Sequence, residues 1–206
     1  MIRRYVVIGI VSLFLGAAFL LWGIYFPPQS SSHDVLSAPE IGGGFTLVAS
    51  DKKVVTERQW PGKMLLLTFG YRFCPDVCPT NLQNMSAALD LLGKDVDNIQ
   101  PLFVTVDPER DTPDVLADYI SLFHKRFVAL TGSSEQIAAA AKLFRVYYRK
   151  AKSEDTKLDP TNYSVDHSAF IFLTNDRGVS LKIFRHDSTP QELASGIREV
   201  LQKRKI

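Results

Sequence analysis

The sequence predicts an α/β sandwich standing behind an N-terminal membrane anchor. Three observations carry that prediction. Short apolar runs of strand length alternate with capped segments of helix length; the chain then closes with a hairpin and one more helix; and near its start the 21-residue stretch 6–26 holds no charge. Strands that alternate with helices bury both faces of a sheet, which is the α/β solution. At 206 residues, 46% hydrophobic and 22% charged, the composition is that of one ordinary globular domain with an appendage.

The appendage comes first. As a helix, 6–26 would run about 32 Å, enough to cross a hydrocarbon core. Arg3 and Arg4 precede it and Pro27-Pro28 end it, so the positive-inside rule keeps residues 1–5 in the cytoplasm and sends the remainder across. A cleaved signal peptide is the competing interpretation, but its apolar core is typically ~7–15 residues with a small-residue cleavage site behind it. Here the run is longer, Trp22-Gly23-Ile24-Tyr25-Phe26 reads as an interfacial aromatic belt, and Gly16-Ala17-Ala18 lies too deep for a peptidase. Residues 27–40 form a linker, Ser-rich and without apolar period over 29–39, and 41–206 form the folded domain. The arrangement reads as a single-pass protein of a bacterial inner membrane, with the C-terminal domain in the periplasm.

Within the domain, 45–49 and 64–69 read as strands, the second apolar enough to be central. Residues 79–92 read as a helix with Leu82, Met85, Leu89 and Leu92 on one face. A strand over 102–106 follows. Thr112-Pro113 supplies an N-cap and a first-turn proline for a helix over 114–123. After a short strand at 127–130, Ser133 and Gln136 make a capping box for a helix over 135–144. Residues 169–173 and 179–184 pair as a hairpin around Asn175-Asp176-Arg177-Gly178. Thr189 and Glu192 form a second capping box, opening a last helix to about Lys203. This order describes a thioredoxin-like α/β sandwich.

Charge narrows the function. Two of the 24 basic residues are Arg3 and Arg4, which leaves 22 against 22 acidic ones. A balanced domain carries no footprint for nucleic acid, and Lys203-Arg204-Lys205 reads as a helix C-terminus complementing its dipole.

The chemistry lies in two cysteines, Cys74 and Cys78, the only ones in the chain. They follow the central strand directly and sit where a helix begins, so unpaired backbone N–H groups favour thiolate there. A domain of this size has no need of a disulfide for stability, although an exported protein can form one. The spacing is Cys-x-x-x-Cys. If both residues were helical their Cβ atoms would be roughly 5–6 Å apart, wider than the ~3.8 Å of a relaxed disulfide. Thiolates are nucleophiles and soft ligands, so three interpretations stand: a disulfide staple, a redox pair, or a site for copper(I) or zinc.

A metal needs a further ligand. His33 falls in the linker and His124 near a helix end, both simply solvated, and His186 reads as a loop residue. His167, in Ser164-Val165-Asp166-His167-Ser168, immediately precedes a strand, in the loop that faces the reactive cysteines in thioredoxin-like folds and usually carries a cis-proline there. It is either a ligand or a loop histidine, with Asp166 placed to influence its ring or local charge. The acidic segment 106–113 leaves a strand on the same edge; it reads as a salt-bridged loop ending in a cap, with attraction of a cation or a basic partner as the alternative.

Taken together, Gly70-Tyr71-Arg72-Phe73-Cys74-Pro75-Asp76-Val77-Cys78-Pro79-Thr80, the segment 106–113 and Val165-Asp166-His167-Ser168 resemble the three signature segments of the Sco/SenC family. Gly44-Phe45-Thr46-Leu47 and the single anchor are similar too, and the resemblance runs from about residue 41 to the C-terminus. It implies a thioredoxin-like domain that binds one copper ion per chain, with Cys74, Cys78 and His167 matching the family's ligands. It further implies a role in assembling the dinuclear copper centre of cytochrome c oxidase subunit two, by delivering copper received from a donor protein, by reducing that subunit's cysteines, or both. Arg72 stands where many relatives carry a smaller polar residue, placing a positive charge beside the thiols. The expected function is therefore that of a membrane-anchored copper metallochaperone rather than an enzyme. Its rivals are a thiol–disulfide oxidoreductase using Cys74 and Cys78, and a copper or redox sensor.

Overall fold

A computed structural model describes residues 40–151 and 162–204. The predicted anchor, nearly all of the linker, and His33 lie outside the described residues. No helix among the described residues is long and apolar enough to cross a membrane.

In chain order the elements are β1 (Thr46–Ala49), β2 (Val54–Thr56), β3 (Met64–Gly70), α1 (Val77–Leu92), β4 (Ile99–Thr105), α2 (Pro113–Ile120), β5 (Val128–Thr131), α3 (Ser134–Leu143), β6 (Tyr148–Ala151), β7 (Ser164–His167), β8 (Ile171–Thr174), β9 (Ser180–Phe184) and α4 (Pro190–Arg204). Seven strands form one mixed sheet in the order β2-β1-β5-β4-β3-β8-β9, and β6 pairs β7 in a separate ribbon. β3, β4 and β5 run parallel, while β8 joins β3 antiparallel. This is the thioredoxin-like α/β sandwich that the sequence predicts.

β3 and β4 are buried along their whole length, Thr68, Gln100 and Thr105 included, as expected of strands covered on both faces. Alternation divides them between two cores. Met64 and Leu66 of β3 pack with Leu82, Met85 and Leu89 of α1, and with Leu193 and Ile197 of α4. Leu65, Leu67 and Phe69 point the other way, toward Ile137, Ala140 and Ala141 of α3. The result holds the C-terminal ends of β3 and β4 side by side, with Gly70 opposite Thr105 in register.

Both capping boxes form, at Ser133–Gln136 and at Thr189–Glu192. Some boundaries differ from expectation. α1 begins at Val77 instead of residue 79, which draws Cys78 into its first turn. α2 ends at Ile120, and residues 121–123 continue as tighter turns. β8 begins at Ile171, leaving 169–170 as loop. Three strands, β2, β6 and β7, have no counterpart in the sequence reading; each is three or four residues long and mostly outside the core, so it carries no apolar periodicity.

Candidate metal centre

The cysteines are placed by the exit of β3. After Gly70 the chain turns, Cys74 N–H donating to the Tyr71 carbonyl at 3.2 Å, and enters α1 three residues later. Cys74 therefore lies before the helix and Cys78 inside it, so the two do not share one helical face. Asp76 occupies the N-cap without a side-chain cap bond, and the N–H groups of Asp76 and Cys78 are turned toward the Cys74 sulfur. Both cysteines are buried free thiols. Gly70 permits the close packing beneath them: a Cβ there would stand 2.6 Å from Cys78 Sγ.

His167 is the last residue of β7, opposite Tyr148 of β6. Its Nδ1 lies 3.1 Å from the Ser168 carbonyl. A carbonyl only accepts, so Nδ1 carries the hydrogen and Nε2 of the neutral ring presents its lone pair. That Nε2 is 3.2 Å from Cys78 Sγ. Tyr71 meets the imidazole edge-on, with centroids 5.8 Å apart, and its hydroxyl accepts from Val165 N–H at 3.2 Å. The backbone beyond is held by Asn81 Nδ2 on the Ala169 carbonyl and by the Thr68 hydroxyl on the Phe170 carbonyl, both at 3.1 Å. Asp166 does not orient the ring; its carboxylate faces Arg149 at 3.6 Å. The tie to Ser168 comes from the backbone, which residue type does not advertise. Asn81 carried the more visible signal, a polar residue beside the apolar stripe of its helix.

The donor atoms of Cys74, Cys78 and His167 all lie within 4.8 Å of one another, the one such metal-capable group among the described residues. Their electrostatics are coupled. The Cys74 thiol is pulled well down by hydrogen bonding from Cys78, with the backbone N–H groups adding to the pull, against the effect of burial. The Cys78 thiol is pushed up, because it donates to the Cys74 sulfur, is buried, and sits beside that negative charge. One thiolate therefore forms readily and the second proton is held. An entering cation would displace it. Two sulfurs and an imidazole form a donor set suited to copper or zinc.

The other two histidines among the described residues are not part of this group. His124 is half-buried rather than solvated, its Nδ1 accepting from Arg126 N–H at 3.2 Å and its Nε2 3.6 Å from Asp90, whereas His186 is exposed. The acidic loop is salt-bridged, as expected. Asp107 pairs with Arg110. Asp111 accepts from Arg72 N–H at 3.0 Å and from the Thr105 hydroxyl at 2.7 Å, fixing the start of the cysteine loop, and burial raises its pKa. The Arg72 guanidinium lies over the Phe73 ring, 4.0 Å from its centroid.

A family model described as SCO1/SenC matches residues 33–202. A SCO2-like protein of Rickettsia felis is 36% identical over 192 residues, covering 91% of this chain and 92% of that protein. The protein sco1 of Schizosaccharomyces pombe is 40% identical over 82% of this chain and 64% of its own length. Among solved structures, Arabidopsis thaliana ScoI with copper bound is 36% identical at a TM-score of 0.72, covering 79% of this chain and 99% of that one. Bradyrhizobium japonicum ScoI with copper bound is 38% identical at a TM-score of 0.69, covering 77% and 98%.

Proposed function

The chain belongs to the SCO1/SenC family, and on that premise we propose that it is a membrane-anchored copper carrier for assembly of the dinuclear copper centre in cytochrome c oxidase. Copper is the cargo. Cys74, Cys78 and His167 hold one ion, residues 6–26 anchor the chain, and residues 41–206 work on the periplasmic side of a bacterial inner membrane. Subunit two of the oxidase is the recipient and a second copper protein the donor. The observation that carries this reading is the convergence of two thiols and one imidazole within 4.8 Å at the end of β3. The solved relatives that hold copper support it.

Copper titration of the reduced full chain tests the reading. One ion per chain is expected, lost in the Cys74→Ser, Cys78→Ser double variant and after oxidation to the disulfide. Tight binding by the double variant would eliminate the site. A second reading, a thiol–disulfide oxidoreductase acting on the oxidase subunit, is favoured by the unequal thiols, since a stabilised thiolate beside a proton-bearing partner suits exchange. His167→Ala separates the two. It should weaken copper(II) binding sharply, since copper(II) prefers nitrogen donors, spare much of the copper(I) held by two thiolates, and leave disulfide exchange intact. Normal oxidase assembly in cells carrying only His167→Ala would put the reductase first.

A further inference from the structure

Arg110 joins segments that the sequence keeps apart. Its guanidinium carbon lies 3.6 Å from the centroid of the Tyr163 ring, 4.7 Å from that of Phe73 and 5.8 Å from that of Tyr71. Nη1 donates to the Tyr163 carbonyl at 2.9 Å and Nε to Asp107 Oδ2 at 2.5 Å. The Tyr163 hydroxyl donates to the other oxygen of Asp107 at 2.7 Å. The Asp107 carboxylate is fully buried and the Arg110 side chain is 13% exposed. Tyr163 immediately precedes β7, the strand that ends in His167, and Phe73 immediately precedes Cys74.

We propose that Arg110 is a positioning residue for His167, clamping the strand that bears the imidazole against the loop that bears the thiols. The inference rests on the metal-site reading above. Among the described strands, β6 and β7 pair only with each other, and a two-stranded ribbon is marginal by itself. The central sheet reaches His167 only from its C-terminal side, through Thr68 on the Phe170 carbonyl, so on the ribbon side contacts from the loops set its distance to the sulfurs. Tyr71 supplies one, through Val165 N–H. Arg110 supplies the densest set: a stack on the Tyr163 ring, a bond to the Tyr163 carbonyl, and an ion pair with the carboxylate that receives the Tyr163 hydroxyl. A planar fork does all three at once. A lysine keeps the charge for Asp107 but neither the stack nor the fork geometry.

Arg110→Lys is therefore the test, because an alanine would leave the buried Asp107 carboxylate without its cation. Tyr163→Phe is the second variant, keeping the ring and losing the hydroxyl. In the reduced, metal-free full chain with labelled histidine, the His167 ring signals should broaden or split in Arg110→Lys while those of His124 stay unchanged. Copper(II) affinity should fall by about tenfold, with the thiolate-to-copper absorption bands shifted and copper(I) binding unaltered. In a His167→Ala background, Arg110→Lys should cause no further loss of copper(II) affinity. Equal losses with and without His167 would overturn the positioning role. Sharp, unshifted His167 signals in both variants would overturn it as well. If the wild-type chain takes up no copper, the carrier reading fails by itself, while the metal-free ring signals still judge the clamp.

Discussion

The middle of β3 and its C-terminal end are held by different physics. Leu67, at the middle, is wholly buried and lies between Leu102 and Phe172 in register. Its neighbours are apolar and largely interchangeable in kind. Three residues further on, the chain enters a region where buried polar groups have specific partners. Asp111 receives Arg72 N–H and the Thr105 hydroxyl, Asp107 receives Arg110 and Tyr163, and the Tyr71 hydroxyl receives Val165 N–H. Apolar packing tolerates exchange of similar volumes, whereas a buried polar group that loses its partner bears the full desolvation penalty. The body is specified by a pattern, and the site end by individual pairings.

The largest expected effect breaks the body alone. Leu67→Ala should lower stability by about 2–5 kcal/mol, from lost transfer energy and the cavity left behind. Denaturant unfolding measures the loss, and the folded variant should still take up one copper ion. Loss of copper uptake with the fold intact would show that the two regions are not separable.

Gly70→Ala strikes the boundary between them. The new methyl would stand 2.6 Å from Cys78 Sγ and 2.9 Å from a ring carbon of Phe103. Overpacking of this kind costs about 1–3 kcal/mol, less than the leucine truncation, yet it displaces a donor sulfur. The expected signature is the reverse of Leu67→Ala: a modest fall in unfolding midpoint with a large fall in copper affinity. A variant as weakened in stability as Leu67→Ala, but unchanged in copper binding, would contradict the placement of Cys78.

The same division decides what could be read in advance. β3 announced itself as a nearly continuous apolar run and the second half of β4 as a strand, and the helix starts at Thr112, Ser133 and Thr189 as caps, because both signals are local. The thiols and His167 were visible as residue types of known chemistry, although nothing local fixed their separation. β6 and β7 were not legible. Tyr148-Arg149-Lys150-Ala151 lies mostly outside the core and shows no alternation of apolar and polar residues. Nor were the pairings that seat His167. Tyr163 and Asp107 are 56 residues apart, and Val165 and Tyr71 are 94 apart, so their meeting depends on a completed sheet.

The smallest expected effect sharpens the comparison within the site end itself. Lys150 of β6 reaches Glu109 at 2.6 Å, with side chains 49% and 61% exposed, and its ammonium lies 4.6 Å from the Tyr163 ring centroid. It thus bridges the same loop and ribbon as Arg110, but from the solvent side. Exposed pairs of this kind contribute about 0–1 kcal/mol and weaken with salt. Lys150→Ala should therefore lower the unfolding midpoint barely, lose even that difference at high ionic strength, and leave the His167 ring signals sharp. Arg110→Lys keeps its charge and should disturb them. Were Lys150→Ala to broaden those signals as much as Arg110→Lys does, simple attraction between loop and ribbon would suffice to seat the imidazole. Burial and planarity at Arg110 would then be incidental.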